Sequence, residues 1–139
     1  FGPRHMTYIV GALRNRERSQ QDRPFWLVDR VELRAEAVPK PGDLLCLNRP
    51  VNGALTTHSY QSLRQRFWTA DPNVEPTGSS HAALVLRTLE RGGQRFLETI
   101  GGNETHSVRL ASTIPVNASG GIDDPAAHRV FGMIKITRC

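Results

Sequence analysis

An α+β domain, with helices packed on one face of an antiparallel sheet, is what this sequence predicts. Three observations carry that reading. The segments with helical periodicity come first, at about residues 5–18 and 59–68. A strong hairpin signal follows, two apolar runs on either side of Gly92-Gly93. The chain then closes on two further short apolar runs, SVRLASTIPV and RVFGMIKIT. Helices followed by about four or five antiparallel strands imply segregated layers, not alternating parallel units.

The elements follow in chain order. Between positions 5 and 18, Tyr8, Ile9, Ala12 and Leu13 fall on one helix face, with Arg14, Arg16, Glu17 and Arg18 on the other. A polar break over 20–24 leads to FWLVDRVEL (25–33), apolar enough to be buried as a short helix or as a strand. AVPKPGD supplies two prolines, a glycine and an aspartate that end one element and aim the next. LLCLN (44–48) reads as a short buried strand and RPVNGALTTH as loop. Ser59 suits the N-cap of a second helix, SYQSLRQRFW, with Tyr60, Leu63, Phe67 and Trp68 to one side. DPNVEPTGSS (71–80) is turn-rich and leads into His81, which opens the hairpin; it reads as a connector sooner than as a mobile loop beside the site. NASGGIDDPAA is a loop before the last strand. All 139 residues are expected to form one domain.

Composition narrows the classes. No apolar run approaches the roughly 20 residues needed to span a bilayer, so no membrane partner is expected. The net charge is +5, and 16 of the 18 positive residues are arginine. Arginine favours bidentate contacts to carboxylate and phosphate, which suits an anionic polymer or an acidic partner, beside the plainer reading of a solvated basic surface. Nucleic acid is the weaker polymer: Arg14, Arg16, Arg18, Arg64 and Arg66 lack the interleaved exposed aromatics that grip single strands. The two cysteines, Cys46 and Cys139, do not have zinc-site spacing, and His5, His58, His106 and His128 show no HxxxH-type pattern. Neither a metal nor another cofactor is expected.

Two stretches, VPKPGDLLCLNRP and SHAALVL…FLETIGGNETHSVRL, with the closing VFGMIKI strand, resemble the domain-of-unknown-function family 2272. That resemblance implies membership of the papain-like clan that holds the NlpC-type and CHAP peptidoglycan hydrolases. In that clan a helix N-terminus carries the nucleophile, where the helix dipole lowers a thiol's pKa, and the sheet carries a histidine and its polar orienter. By this resemblance His81 is the general base and Asn103 its orienter. Before Gly42 the chain has no cysteine and only Ser19 as a serine. The chain opens on Phe1, so the expectation is the C-terminal portion of a papain-like hydrolase, its nucleophile helix supplied by a companion N-terminal segment.

Strand geometry tests the candidates. A two-residue turn at Gly92-Gly93 makes paired positions sum to 185, so Arg87 faces Glu98 and His81 would face Glu104. Glu98 then shares His81's face but lies six residues along, about 20 Å away at ~3.3 Å per residue, too far for a hydrogen bond. A cross-strand pair with Arg87 is its better role. Asn103 reaches His81's level but needs a bulge at Gly101-Gly102 to turn towards it; otherwise it is a turn-stabilising asparagine. Cys46, inside LLCLN, has no helix dipole and reads as core packing sooner than nucleophile. His58 and Tyr60 could line a substrate groove.

The leading function is an amidase or peptidase acting on peptidoglycan peptides, with His81 and Asn103 at its centre. Secretion or delivery to the periplasm, service as an antibacterial effector, and an inhibitory or immunity partner go with that expectation. The alternative is a binding module that kept the fold and lost the chemistry.

Overall fold

The computed structural model describes residues 5–18, 24–68, 71, 73, 76, 78–102 and 108–136. Among these the chain runs through helix α1 (His5–Glu17) and strands β1 (Phe25–Asp29), β2 (Leu44–Leu47), β3 (Pro50–Val51) and β4 (Ala54–Leu55). Helix α2 (Tyr60–Phe67) follows, then strands β5 (His81–Arg91), β6 (Gln94–Gly102), β7 (Val108–Val116) and β8 (Val130–Ile136). Six of the described strands form one antiparallel sheet in the order β1-β8-β2-β5-β6-β7, and β3 pairs with β4 apart from it.

The α+β layout is as expected, but the sheet is larger than the four or five strands predicted. FWLVDRVEL is divided: its first five residues pair with β8 from Phe25↔Ile136 to Asp29↔Gly132, and a single 3-10 turn, Glu32–Arg34, follows. An outer partner for β8 decides the ambiguity, because a central apolar strand needs its ladder satisfied on both edges. RPVNGALTTH is not plain loop either. Asn52 and Gly53 both take left-handed φ, 50° and 80°, the requirement of a tight two-residue hairpin turn, and they join β3 to β4.

The helices share one face of the sheet. Met6, Ile9, Val10, Ala12 and Leu13 of α1 and Leu63 and Phe67 of α2 bury against Leu27, Cys46, Phe131 and Ile134. Ser59 caps α2 as expected: its hydroxyl accepts from Ser62 N at 3.1 Å while Ser62 Oγ accepts from Ser59 N at 2.9 Å. The other face is covered by the 3-10 turn and the loop before β8, through Leu33 and Ile122 packed on Val28, Leu45, Leu97 and Met133.

The Pro-Gly-Asp segment fastens β2 in place. Gly42 adopts a φ of 97°, closed to most side chains, and turns the buried Asp43 inward. That carboxylate accepts from Lys40 N at 2.8 Å, Lys135 Nζ at 2.8 Å and Ile136 N at 3.2 Å. Its charge is therefore compensated as burial demands, and β2 is tied to the end of β8.

Three register shifts interrupt the ladders: between Val85 and Arg87, between Leu97 and Thr99, and between Cys46 and Leu47. The last sets Phe131 as the extra residue on β8 and buries its ring on the helix side, 5.6 Å from the His58 ring.

Candidate functional site

On the loop-covered face a cleft of about 500 Å³ opens over β5, β6 and β7. Its floor is small and apolar, Ala83, Gly101 and Ala111 among it, and its walls come from the segments 47–50 and 127–129. His81 stands in this cleft. It pairs with Leu47, so its side chain shares the face of Leu47, Ala83 and Thr99.

Gly101 makes the room for His81. A Cβ at that position would lie 2.8 Å from His81 Nε2 and 3.5 Å from Cε1. The Ile-Gly-Gly run therefore brings the Nε2–Cε1 edge of the imidazole close to the β6 backbone, an approach that a side chain at 101 would prevent. The bulge that Asn103 would need at Gly101-Gly102 is not seen in the described pairs: Gly101 pairs with Ala83 and Arg109 in regular register, and Gly102 pairs with Val108. The extra residue is instead Leu86 on β5, and it changes the pairing sum from 185 at Arg87↔Glu98 to 184 at Ala83↔Gly101. The slip also moves Glu98 to the face opposite His81, where its Oε2 accepts from Arg87 Nε at 2.7 Å. The pair with Arg87 is as predicted; the shared face with His81 was an error of strict alternation. Asn103, the expected orienter, and Glu104 lie outside the described residues, as do Ser19, His106 and Cys139.

Two other histidines are held at the entrance to β5 by consecutive backbone carbonyls. His5 Nδ1 bonds Ser80 O at 3.0 Å, and His58 Nε2 bonds Ser79 O at 2.7 Å. A carbonyl only accepts, so each of those nitrogens carries a proton. His5 is the first residue of α1, and its ring centroid is 6.2 Å from that of His81 and 5.7 Å from that of Tyr8. Beside it, Tyr8 Oη and Ser80 Oγ are buried without a hydrogen-bond partner among the described residues. Burial pushes the Tyr8 phenol up to about 12, with the Cys46 thiol adding to the effect.

Cys46 lies on the helix face, paired with Ala82 and fully buried in the α1 core, so the sheet separates it from His81. Burial pushes its thiol up to about 12, against a small opposing backbone hydrogen bond from Ile134. Such a thiol is inert at neutral pH. His58 and Tyr60 do not share a groove. His58 is fixed by Ser79 and Asn48, whereas Tyr60 Oη donates to Glu17 Oε1 at 2.6 Å in a separate recess of about 390 Å³ with Arg16 and Glu32.

Sequence reasoning missed His128, Arg109 and Arg129, which line the cleft with His81. They belong to a loop and an edge strand 27 or more positions beyond His81, so only the fold brings them together. No group of three metal-ligating side chains occurs among the described residues, and no described helix is long and apolar enough to cross a membrane.

A six-stranded antiparallel sheet, two helices on one face and a histidine-bearing cleft on the other define a mixed α+β protein. The chain belongs to a bacterial family, described as "Uncharacterized protein conserved in bacteria (DUF2272)", whose profile matches residues 1–135. No curated protein and no solved structure matches it.

Proposed function

We propose that the cleft is the site of an amide-bond hydrolase of the papain-like NlpC/CHAP type, an amidase or peptidase acting on peptidoglycan peptides. His81 is its general base and Asn103 the residue that orients the imidazole. The observation that carries this reading is the meeting of two elements: the first turn of α1 stands beside the start of β5, with the His5 and His81 rings 6.2 Å apart. A nucleophile brought to the first turn of α1 from outside the chain would have the helix dipole to lower its pKa and His81 within reach to take its proton. The described cleft residues include no cysteine or serine; in this reading the nucleophile comes from a segment outside this chain. An enzyme of this kind would act outside the cytoplasm, secreted or delivered to the periplasm, and its producer would carry an inhibitory protein against it.

The test is release of new amino groups from purified peptidoglycan by the natural full-length protein, beside His81→Ala and Asn103→Ala. Loss of release in His81→Ala with an unchanged melting curve is the expected result. Equal release from both proteins would overturn the assignment. Intact mass spectrometry under denaturing conditions identifies any companion polypeptide.

A second reading, a binding module without chemistry, is favoured by the same shortage of nucleophiles in the cleft. Saturable binding of peptidoglycan fragments with no hydrolysis by the full-length protein would select it.

A further inference from the structure

The backbone that enters β5 is gripped by histidines from two different elements. The ladder with β2 starts at Leu47↔His81, so the carbonyls of Ser79 and Ser80 come ahead of it. Each accepts from an imidazole instead: Ser79 O from His58 Nε2 at 2.7 Å, and Ser80 O from His5 Nδ1 at 3.0 Å. Ser80 is buried, where a carbonyl without a donor is costly. The Ser80 carbonyl and the His81 N–H also belong to one rigid peptide plane. A donor that fixes Ser80 O therefore fixes the direction in which the His81 side chain leaves the backbone.

Gly78 is a second observation of the same grip. Its φ of 141° is closed to most side chains, and a Cβ there would lie 3.2 Å from Met6 Cε and 3.4 Å from His58 Cε1. The segment thus passes between the first turn of α1 and the His58 ring with no room for a side chain.

Both histidines are anchored in turn. His5 is the first residue of α1, whose Met6, Ile9 and Val10 are buried in the core. His58 N donates to Asn48 Oδ1 at 2.8 Å, and Asn48 Nδ2 donates to His58 O at 3.1 Å. Asn48 N donates to Arg129 O at 2.8 Å, and the His58 ring lies 5.6 Å from that of Phe131. One histidine is thus fixed to α1 and the other to the ends of β2 and β8. A lysine would also donate to a carbonyl, but it surrenders more rotamer freedom and sets the distance less firmly.

The fit of His81 on Gly101 needs such precision, since a Cβ at Gly101 would stand only 2.8 Å from His81 Nε2. We propose that His5 and His58 are positioning residues for His81: they clamp the consecutive peptide planes ahead of it and so seat the imidazole against Gly101 in the cleft. The inference rests on His81 being the working base, as proposed above, but the seating can be measured without any reaction.

The experiment compares variants of the natural full-length protein by two readouts. One is nuclear cross-relaxation between the His81 ring protons and the Gly101 α-protons in the isotope-labelled protein; the other is kcat and KM for release of amino groups from peptidoglycan. An Asn amide nitrogen takes the place of Nδ1, and a Gln amide nitrogen that of Nε2. The matched replacements are therefore His5→Asn and His58→Gln, and the mismatched ones are His5→Gln and His58→Asn. His5→Ala and His58→Ala should each weaken the His81–Gly101 signal and lower kcat about tenfold or more, with KM within about twofold of the parent. The matched amides should restore both readouts and the mismatched amides neither, a pattern that a general loss of folding would not produce. Alanine variants with the parental signal, or matched and mismatched amides that behave alike, would overturn the clamp. Parental hydrolysis by His81→Ala, or none by the parent, would sink the amidase instead, and the amide pattern in the Gly101 signal would still decide the clamp.

Discussion

The molecule has two charged recesses, and they are built on opposite electrostatic principles. Between α1, α2 and β1, Glu17 and Glu32 are matched by Arg16, Arg64 and the Tyr60 hydroxyl, with contacts of 2.6–2.7 Å. Each group there has its partner inside the protein. In the His81 cleft the described ionisable side chains are arginines and histidines alone. A balanced network holds elements together and offers little to a ligand, whereas a lining rich in arginine and histidine attracts anions. The first recess is therefore fastening, and the second is where function is expected.

The contrast is strongest at His81. If the cleft works as proposed, His81→Ala should slow hydrolysis by about 10²–10⁴-fold, the usual range for loss of a general base. A partly exposed residue of this kind should leave the melting temperature nearly unchanged. Glu17→Gln should do the opposite, leaving turnover intact while lowering stability. Parallel rate and melting measurements on the two variants check the division; a slow Glu17→Gln enzyme would break it.

Gly101→Ala is the next largest effect and sharpens the same division. The added methyl would stand 2.8 Å from His81 Nε2, so the imidazole must leave its place. The nearest neighbour is a side-chain tip that can swing, and Ala82 O at 3.3 Å need give only a few tenths of an ångström, so the stability cost should be modest, about 1–2 kcal/mol. Activity, however, should fall nearly as far as in His81→Ala. A Gly101→Ala protein with parental activity would show that the imidazole position at Gly101 is not the working one.

These two residues also show how much was legible beforehand. The α1 stripe, the Ser59 cap, the Gly92-Gly93 hairpin and the Arg87–Glu98 pair all follow from local patterns, and local patterns are what a sequence displays. His81 was marked out as the first residue of β5. The face it shares with Gly101 was not, because the inserted residue at Leu86 is a tertiary accommodation with no turn signal. Arg109, His128 and Arg129 were invisible as a group, being joined only when β7 and β8 lie on opposite sides of β2–β5–β6. FWLVD was ambiguous for a similar reason: its strand state is imposed by β8.

Acid should divide the recesses further. Burial alone would raise the Glu17 carboxyl, but hydrogen bonds from Arg64 and Tyr60 outweigh it and hold the group below the usual carboxylate range. A depressed folded-state pKa stabilises the fold fully above the unfolded value of about 4.3, and that stability is lost as pH falls through the folded value. Glu17→Gln should thus cost about 1 kcal/mol at neutral pH, and the difference from the parent should shrink in acid. Unfolding followed by denaturant at several pH values measures it; a gap that widened as pH fell would reverse the sign.

The smallest effect expected is at Cys46, and it asks which side of the sheet can react. The thiol is buried among α1 residues, and burial pushes it up to about 12. For such a group the neutral form is what the folded state favours, so its contribution is intact below the unfolded value of about 8.5 and is lost as pH rises towards the folded one. At pH 8 the folded protein should therefore show no alkylation of Cys46 on the timescale that labels it fully in denaturant, with peptide mass spectrometry separating it from Cys139. Labelling of Cys46 in the folded state would mean that α1 lifts from the sheet and admits reagent to its core. The helix face could not then be treated as fixed fastening, and the first turn of α1, with His5 beside His81, would itself be mobile relative to the base.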